Sequence, residues 1–326
     1  MTVAMSVNII FPKTDRRDRL IIRRVNNVEI ESSWKQLTDK AEITLPRNVS
    51  FFEKNKLRDV FRRGDRVIIQ LGYDEVLITE FTGYIQQVSA NIPVLVKCQN
   101  EMFKIKQIPV NYSSADISLE KLLNDIIPGY EIDALEGCQL GKVRFAQTTV
   151  GEVLEKLQQD MKIYTYVEPG TKKIISGKIY SDNSDDKPFL FDLERNIVSN
   201  DLNYKNKDDV RVKVNGTAIN GGEKLEFSFG DADADKNIDW QFLVKTQPDL
   251  EAQVKRMYEQ NKIDGFEGSF TAFGIPSVTH GRKVKLTSTL YPDRQGTYYV
   301  EGVSKTFGTS GYRQQIKLGN LYERRD

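Results

Sequence analysis

The chain has 326 residues, 39% of them apolar and 29% charged, which is enough for two or three domains with real cores and is ordinary for a globular protein. Its 47 basic and 46 acidic side chains nearly cancel, so no whole-chain field is directed at nucleic acid, an anionic membrane or an acidic substrate. Only Cys98 and Cys138 occur, without a CxxC pair and without a histidine near either, which argues against a disulfide framework and a zinc site and fits synthesis in a reducing compartment.

The start, Met1 to Phe11, has no basic n-region and no apolar stretch long enough for a signal peptide, and no run approaches the roughly 18 apolar residues of a membrane span. If the protein leaves a cell, the expectation is that it does so inside a larger particle. Residues 1–100 carry short, nearly alternating apolar runs: Val28-Glu29-Ile30, Ala41-Glu42-Ile43-Thr44-Leu45, Val67-Ile68-Ile69-Gln70-Leu71 and Val94-Leu95-Val96. Turn signals at Asn26-Asn27, Pro46-Arg47-Asn48, Gly64-Asp65, Gly72 and Gly83 separate them, which predicts a first antiparallel β-barrel or sandwich.

After Cys98 the period changes. Ser118 to Ile126 spaces its apolar residues three and four apart and stops before Pro128-Gly129, predicting a short helix. A second helix starts at Thr149-Val150-Gly151-Glu152, a capping-box pattern, with Val153, Leu154, Leu157 and Met161 on one face. Strand character returns over 163–179 around a Glu168-Pro169-Gly170-Thr171 turn, and Ser181 to Asp186 reads as a solvated acidic loop. Residues 101–205 are expected to form a small α+β domain. Residues 206–326 are read as a second β-barrel with an inserted helix at about 248–261, opened by Pro248 and ended by Gly265. Net charge over the three segments runs +4, −4 and +1.

An internal echo links the first and last segments. Gly64-Asp65-Arg66-Val67-Ile68-Ile69 parallels Gly281-Arg282-Lys283-Val284-Lys285-Leu286, and Gly83-Tyr84-Ile85-Gln86-Gln87-Val88 parallels Tyr298-Tyr299-Val300-Glu301-Gly302-Val303. Val94-Leu95-Val96 and Gln315-Ile316-Lys317-Leu318 supply a closing strand in each. The fold class read from these patterns is mainly β with an α+β insertion: two related antiparallel β-barrels plus a small α+β domain.

Three stretches resemble the gp27-like phage baseplate hub proteins, a group that includes the late control protein D family and the N-terminal part of type VI secretion spike proteins. They are Phe61 to Val67 with Phe81 to Ile85; Thr149 to Leu154 with Ile197 to Tyr204; and His280 to Val284 with Gly296 to Val300 and Tyr312 to Leu318. The resemblance implies a virion structural protein of the tail baseplate, assembled in the host cytoplasm. It implies a homotrimer whose two barrels per chain form a six-fold-like ring between a trimeric spike and the hexameric tail tube, with DNA passing through transiently. Because the sequence stops soon after its second β region, the spike is expected to be a separate polypeptide.

No catalytic, cofactor-binding or metal-binding residue is assigned, and no enzyme activity is expected. His280, the only histidine, precedes a Gly turn and reads as a turn position. Asp231-Ala232-Asp233-Ala234-Asp235 starts like a calcium loop, but Phe242 stands at the twelfth position, where a bidentate Glu is needed. Glu152, Glu155 and Asp160 read as helix-surface charges rather than a glycosidase pair. Gly216 and Gly221-Gly222 lack any phosphate-loop pattern and read as hairpin turns. Arg16-Arg17-Asp18-Arg19 with Arg23-Arg24 is the best candidate for phosphate contact, although a subunit contact or a solvated face is preferred. Phe81, Tyr84, Tyr298, Tyr299 and Phe307 are candidates for a trimer interface or for the core. The competing functions are a tail-associated cell-wall hydrolase module and a carbohydrate-binding attachment protein, the latter needing an aromatic platform that Trp34 and Trp240, far apart in sequence, do not establish.

Overall fold

Period-two alternation builds the first module, as the sequence predicts. The computed structural model describes residues 4–46, 60–89, 93–178, 187–220, 223–242 and 244–323. Strands β1 (Met5–Phe11), β2 (Leu20–Ile22), β3 (Asn27–Ser33), β4 (Lys40–Leu45), β5 (Arg66–Tyr73), β6 (Val76–Val88) and β7 (Val94–Gln99) pair antiparallel in the order β2-β1-β5-β6-β7-β4-β3. Val28, Ile43, Val67, Ile69, Leu71 and Val96 all point inward onto one core with Phe11 and Ile85.

The first insertion follows. Helix α1 (Met102–Ile105), β8 (Pro109–Ser118), α2 (Leu119–Ile126), β9 (Glu131–Ala134), β10 (Gln139–Thr149), α3 (Val150–Met161), β11 (Thr165–Val167) and β12 (Lys173–Ser176) enclose a second core. The Ser118 hydroxyl accepts from the Lys121 amide at 3.3 Å to start α2. At α3 the predicted capping box is complete: Thr149 Oγ1 accepts from the Glu152 amide at 3.4 Å, and Glu152 Oε2 accepts from the Thr149 amide at 2.9 Å. Strands β11 and β12 form the predicted hairpin, turned at Glu168 to Thr171.

Next come β13 (Phe189–Asp192) and β14 (Ile197–Lys205), then a second insertion in which β15 (Val212–Asn220), β16 (Glu223–Gly230) and β17 (Lys236–Gln241) carry α4 (Gln247–Asn261) on one face. Strands β18 (Gly265–Phe273), β19 (Lys283–Thr287), β20 (Gly296–Gly308) and β21 (Gly311–Glu323) complete the second module. Gly216 lies within β15, where a Cβ would collide with Val254 of α4, so it is a close-approach residue rather than the predicted turn. The Gly221-Gly222 turn and the acidic loop 181–186 lie outside the described residues.

Residues up to 205 were expected in the α+β domain, yet β13 pairs with β19 and β14 with β18, so both lie in the second module. Their partners follow about sixty or more residues later, which a local pattern does not reveal. The inserted helix also has its own three-stranded sheet. The mainly-β class with an α+β insertion stands, but neither module closes into a barrel among the described residues. The reason for the first module is specific: β20 pairs antiparallel along β3 from Gly302↔Ser33 to Gly308↔Asn27, taking the edge that closure would need. The two modules are therefore one 13-stranded sheet.

The sequence echo is a structural repeat in register. Arg66 pairs with Tyr84 as Lys283 pairs with Tyr299. Gly64, at φ 90°, donates its N–H to the Ile85 carbonyl at 2.8 Å while the Ile85 N–H is donated to Asp65 O at 2.9 Å. Gly281, at φ 77°, and Val300 repeat the exchange at 2.9 and 2.8 Å, with Arg282 supplying the acceptor. Both modules then carry a bulge at the next residue, between Ile85 and Gln87 and between Val300 and Gly302. Beyond it Val88↔Val96 corresponds to Val303↔Ile316. Outer strands follow suit: β3-β4-β7 corresponds to β14-β18-β21, all antiparallel.

A buried polar network pins the junction of the modules. Lys305 on β20 pairs with Glu80 on β6, their side chains only 5% and 2% exposed. Lys305 also donates to Ser277 Oγ at 2.7 Å, and the Tyr312 hydroxyl donates to Glu80 Oε1 at 2.7 Å. Burial holds the Lys305 ammonium below its ordinary pKa in spite of Glu80. Lys305→Met alone leaves the carboxylate buried without its cation and is expected to cost about 3–5 kcal/mol in urea unfolding. Adding Glu80→Gln should recover part of that loss; additive losses in the double variant would show that the pair is not coupled.

Candidate functional site

A cleft of about 710 Å³ lies where the second module meets both insertions. Trp34, which follows β3, Tyr164 before β11 and Trp240 on β17 come together there although the two tryptophans lie some two hundred residues apart. Only the tertiary fold brings them together, and no local signal announces it. Trp34 is 7% exposed, packed edge-on against Tyr164 at 5.0 Å and covered by the Lys35 ammonium at 5.2 Å, so it presents no open face for stacking a sugar ring.

Six of the cleft's charges are paired with one another, whereas Lys236, which also lines it, is held below its ordinary pKa by burial. Glu301 accepts from Lys35 at 2.7 Å and Lys317 at 2.6 Å; burial works to raise its pKa, but these two ammonium groups outweigh it and hold the carboxylate ionised. Lys205 bridges Asp235 and Glu267, each at 2.8 Å, and these bonds raise its pKa and lower that of Asp235. General acid catalysis requires a carboxyl raised toward neutrality, and neither Glu301 nor Asp235 is so placed.

His280 stands at a turn, as its place before Gly281 implies. Its side chain is fully buried, edge-on against Tyr166 at 4.9 Å, with Nε2 3.9 Å from Asp39 Oδ1. Both ring nitrogens lack a hydrogen-bond partner, and burial depresses its pKa to about 4, so the ring is neutral at pH 7. Asp39, on the first module, accepts from Asn100 Nδ2 at 3.1 Å. Burial raises its pKa to about 7 against the hydrogen bonds from Asn100 and the Ser33 amide. The pair thus sits where the two modules and the first insertion meet.

The remaining sequence candidates disperse. Asp231 is bound by Lys262 at 2.8 Å, which draws its pKa down to about 2, whereas Asp233 faces Arg211 at 3.3 Å and Asp235 faces Lys205. The three carboxylates do not converge, and no group of three or more metal-ligating side chains exists among the described residues. Glu155 and Asp160 are exposed on α3, and Glu152 caps it, its pKa lowered by the Thr148 hydroxyl and the Thr149 amide. In the basic segment, Arg17 is buried, donating to the carbonyls of Phe11, Asp18 and Pro12, and Arg16 pairs with Asp65 at 2.7 Å; Arg19, Arg23 and Arg24 are exposed. Phe81, Tyr84, Tyr298 and Phe307 are core residues, and Tyr299 is half-buried against Tyr322 at 5.2 Å. Cys98 and Cys138 are buried free thiols in different cores, raised in pKa by burial.

No protein-family profile and no curated protein matches the chain by sequence. Solved structures do match. A tail protein from Neisseria meningitidis superposes with a TM-score of 0.63 at 13% identity, covering 98% of this chain and 97% of the other. The fold is that of phage tail proteins. The 43 kDa tail protein of prophage MuSo2 from Shewanella oneidensis shares this tail-protein fold with a TM-score of 0.62 at 10% identity, covering 97% and 98%. An E. coli type VI secretion component, described as structurally similar to bacteriophage T4 tail proteins gp27 and gp5, matches at 0.55 and 10% identity over 99% of this chain and 78% of its own. The gp27-like likeness seen in the sequence is thus carried by the whole tail-protein fold. No described helix is long and apolar enough to cross a membrane.

Asp39 and His280 make opposite contributions to the pH dependence of stability. Asp39 holds a proton in the folded chain that the unfolded chain releases, so its contribution falls as pH rises from 3.8 to about 7. His280, depressed from 6.5 to about 4, contributes fully above pH 6.5 and loses stability as pH falls toward 4. Asp39→Asn removes the first effect alone. Its melting temperature relative to the wild type should therefore climb steadily between pH 4 and 7 and level off above; a pH-independent difference would show that Asp39 does not titrate in this window.

Proposed function

We propose that this chain is a non-enzymatic structural subunit of a phage-type tail baseplate hub, adapting a trimeric spike to a hexameric tail tube. The observation that carries the proposal is the in-register repeat: one chain offers two equivalent β modules, so three chains offer six. A three-fold object built this way presents six similar surfaces to a six-fold partner and three identical ones to a three-fold partner. The tail-protein fold, seen also in a type VI secretion component likened to gp27 and gp5, supports the same reading. The partners are then two further copies of this chain, a spike, and tube and baseplate proteins. DNA crosses the ring only in passage, consistent with the nearly balanced charge. The place of action is the virion tail, after assembly in the host cytoplasm, without a membrane anchor.

The absence of an open aromatic face on Trp34 and the pairing of Glu301 and Asp235 give the carbohydrate-binding and hydrolase readings no specific support. Light scattering coupled to size exclusion, run over a concentration series alone and with the spike protein of the same particle, is the test. The expected result is three times the chain mass in at least one sample. A strict monomer in both overturns the hub reading.

A further inference from the structure

The repeat leaves one of its own junctions unfilled. In the first module, the outer edge of β3 is taken by β20 of the same chain, from Gly302↔Ser33 to Gly308↔Asn27. Following the ladders outward, Val96 corresponds to Ile316, Ile43 to Phe270 and Val28 to Asn200. Residues 199–205 of β14 therefore occupy the place that Asn27 to Ser33 occupy in the first module. That outer edge of β14 carries no ladder among the described residues. The strand runs for nine residues without a proline and five of its side chains are exposed, with Asp201, Lys205 and a bulge between Ile197 and Ser199 as the features that discourage indiscriminate pairing.

The complementary half exists as well. Gly302, Val303 and Ser304, which begin the run along β3, correspond to Gln87, Val88 and Ser89 at the end of β6. The ladder between β5 and β6 ends at Arg66↔Tyr84, and beyond the Gly64–Ile85 exchange no backbone bond occupies that side of Gln87 and Val88 among the described residues. Within one chain the two halves lie at opposite ends of the repeat, since the β3–β20 ladder already joins the modules at their other ends.

We infer that β14 of one copy takes the end of β6 from a second copy of this chain, in the register Gln87↔Lys205, Val88↔Tyr204 and Ser89↔Asn203. The contact repeats between molecules the ladder that β20 and β3 make within one. It is head-to-tail, so it generates a ring when the rotation closes and a filament when it does not. This deepens the hub proposal and rests on it for the number of copies, but the register comes from the repeat alone.

Disulfide trapping tests the register. Two full-length chains, one carrying Ser89→Cys and one carrying Asn203→Cys, are mixed and oxidised, alone and with the spike protein. The expected result is a reducible species of twice the chain mass that neither variant forms by itself. Gln87→Cys with Asp201→Cys, roughly 13 Å out of register along the strand, should not form it. Glu31→Cys with Ser304→Cys in one chain is the geometric control, because that pair occupies the same place in the intrachain ladder and should close without a change in mass. An oligomer that forms without the Ser89–Asn203 bond, while the control closes, overturns this junction and leaves the hub reading standing. A cross-linked filament with no closed ring supports the junction and contradicts the hub reading.

Discussion

The antiparallel ladder between β3 and β20 is the constraint on which the rest of the architecture depends. It joins residues 27–33 to residues 302–308, nearly the full length of the chain apart, and turns two half-sheets into one. Non-local pairing of this span carries the loop-closure entropy of a long intervening chain before its hydrogen bonds contribute. The Glu80–Lys305 pair, with the Ser277 and Tyr312 hydroxyls, adds directionality where a purely apolar seam would tolerate slippage. Phe307 and Tyr312, though on the last two strands, complete the first core. The modules are thus mutually dependent rather than beads on a string.

Given that scaffold, the two insertions bring cores of their own. Each leaves and re-enters at strand ends, one core lying around α2 and α3 and the other around α4 against β15. Gly216 allows α4 to approach its sheet closely. The cleft with Trp34 and Trp240 arises where the insertions lean on the second module, and its paired charges fit a packed boundary better than reactive chemistry. The buried Asp39–His280 contact marks a similar boundary, where a neutral imidazole fills space against Tyr166.

Much of this was legible in the sequence because the relevant physics is local. Alternation gave the strands of the first module, and the Thr149–Glu152 capping box gave the start of α3 to the residue. The Gly64 and Gly281 echo was readable because both glycines meet the same demand for positive φ before the same strand pair. What local pattern could not supply was partnership. Strands β13 and β14 fall within the expected α+β domain because their partners β19 and β18 lie beyond a whole insertion. His280 is the turn residue that its place before Gly281 implies, but its burial against Tyr166 and Asp39 is tertiary and leaves no local signal. For Arg16 and Arg17 the sequence favours a subunit contact or solvated face over a phosphate site, whereas Arg17 satisfies three carbonyls and Arg16 pairs with Asp65. Barrel closure is absent among the described residues for a related reason, since β20 takes the edge of β3.

In the proposed hub, two in-register modules per chain build a ring with twice as many similar units as chains. Electron microscopy of the purified assembly, formed with its spike if the spike is needed, reads this most directly. The account predicts end-on views with six similar lobes around an open centre, reducing to three-fold symmetry when the insertions are resolved. A closed two-fold dimer, or a ring whose lobes number the same as its chains, would contradict it.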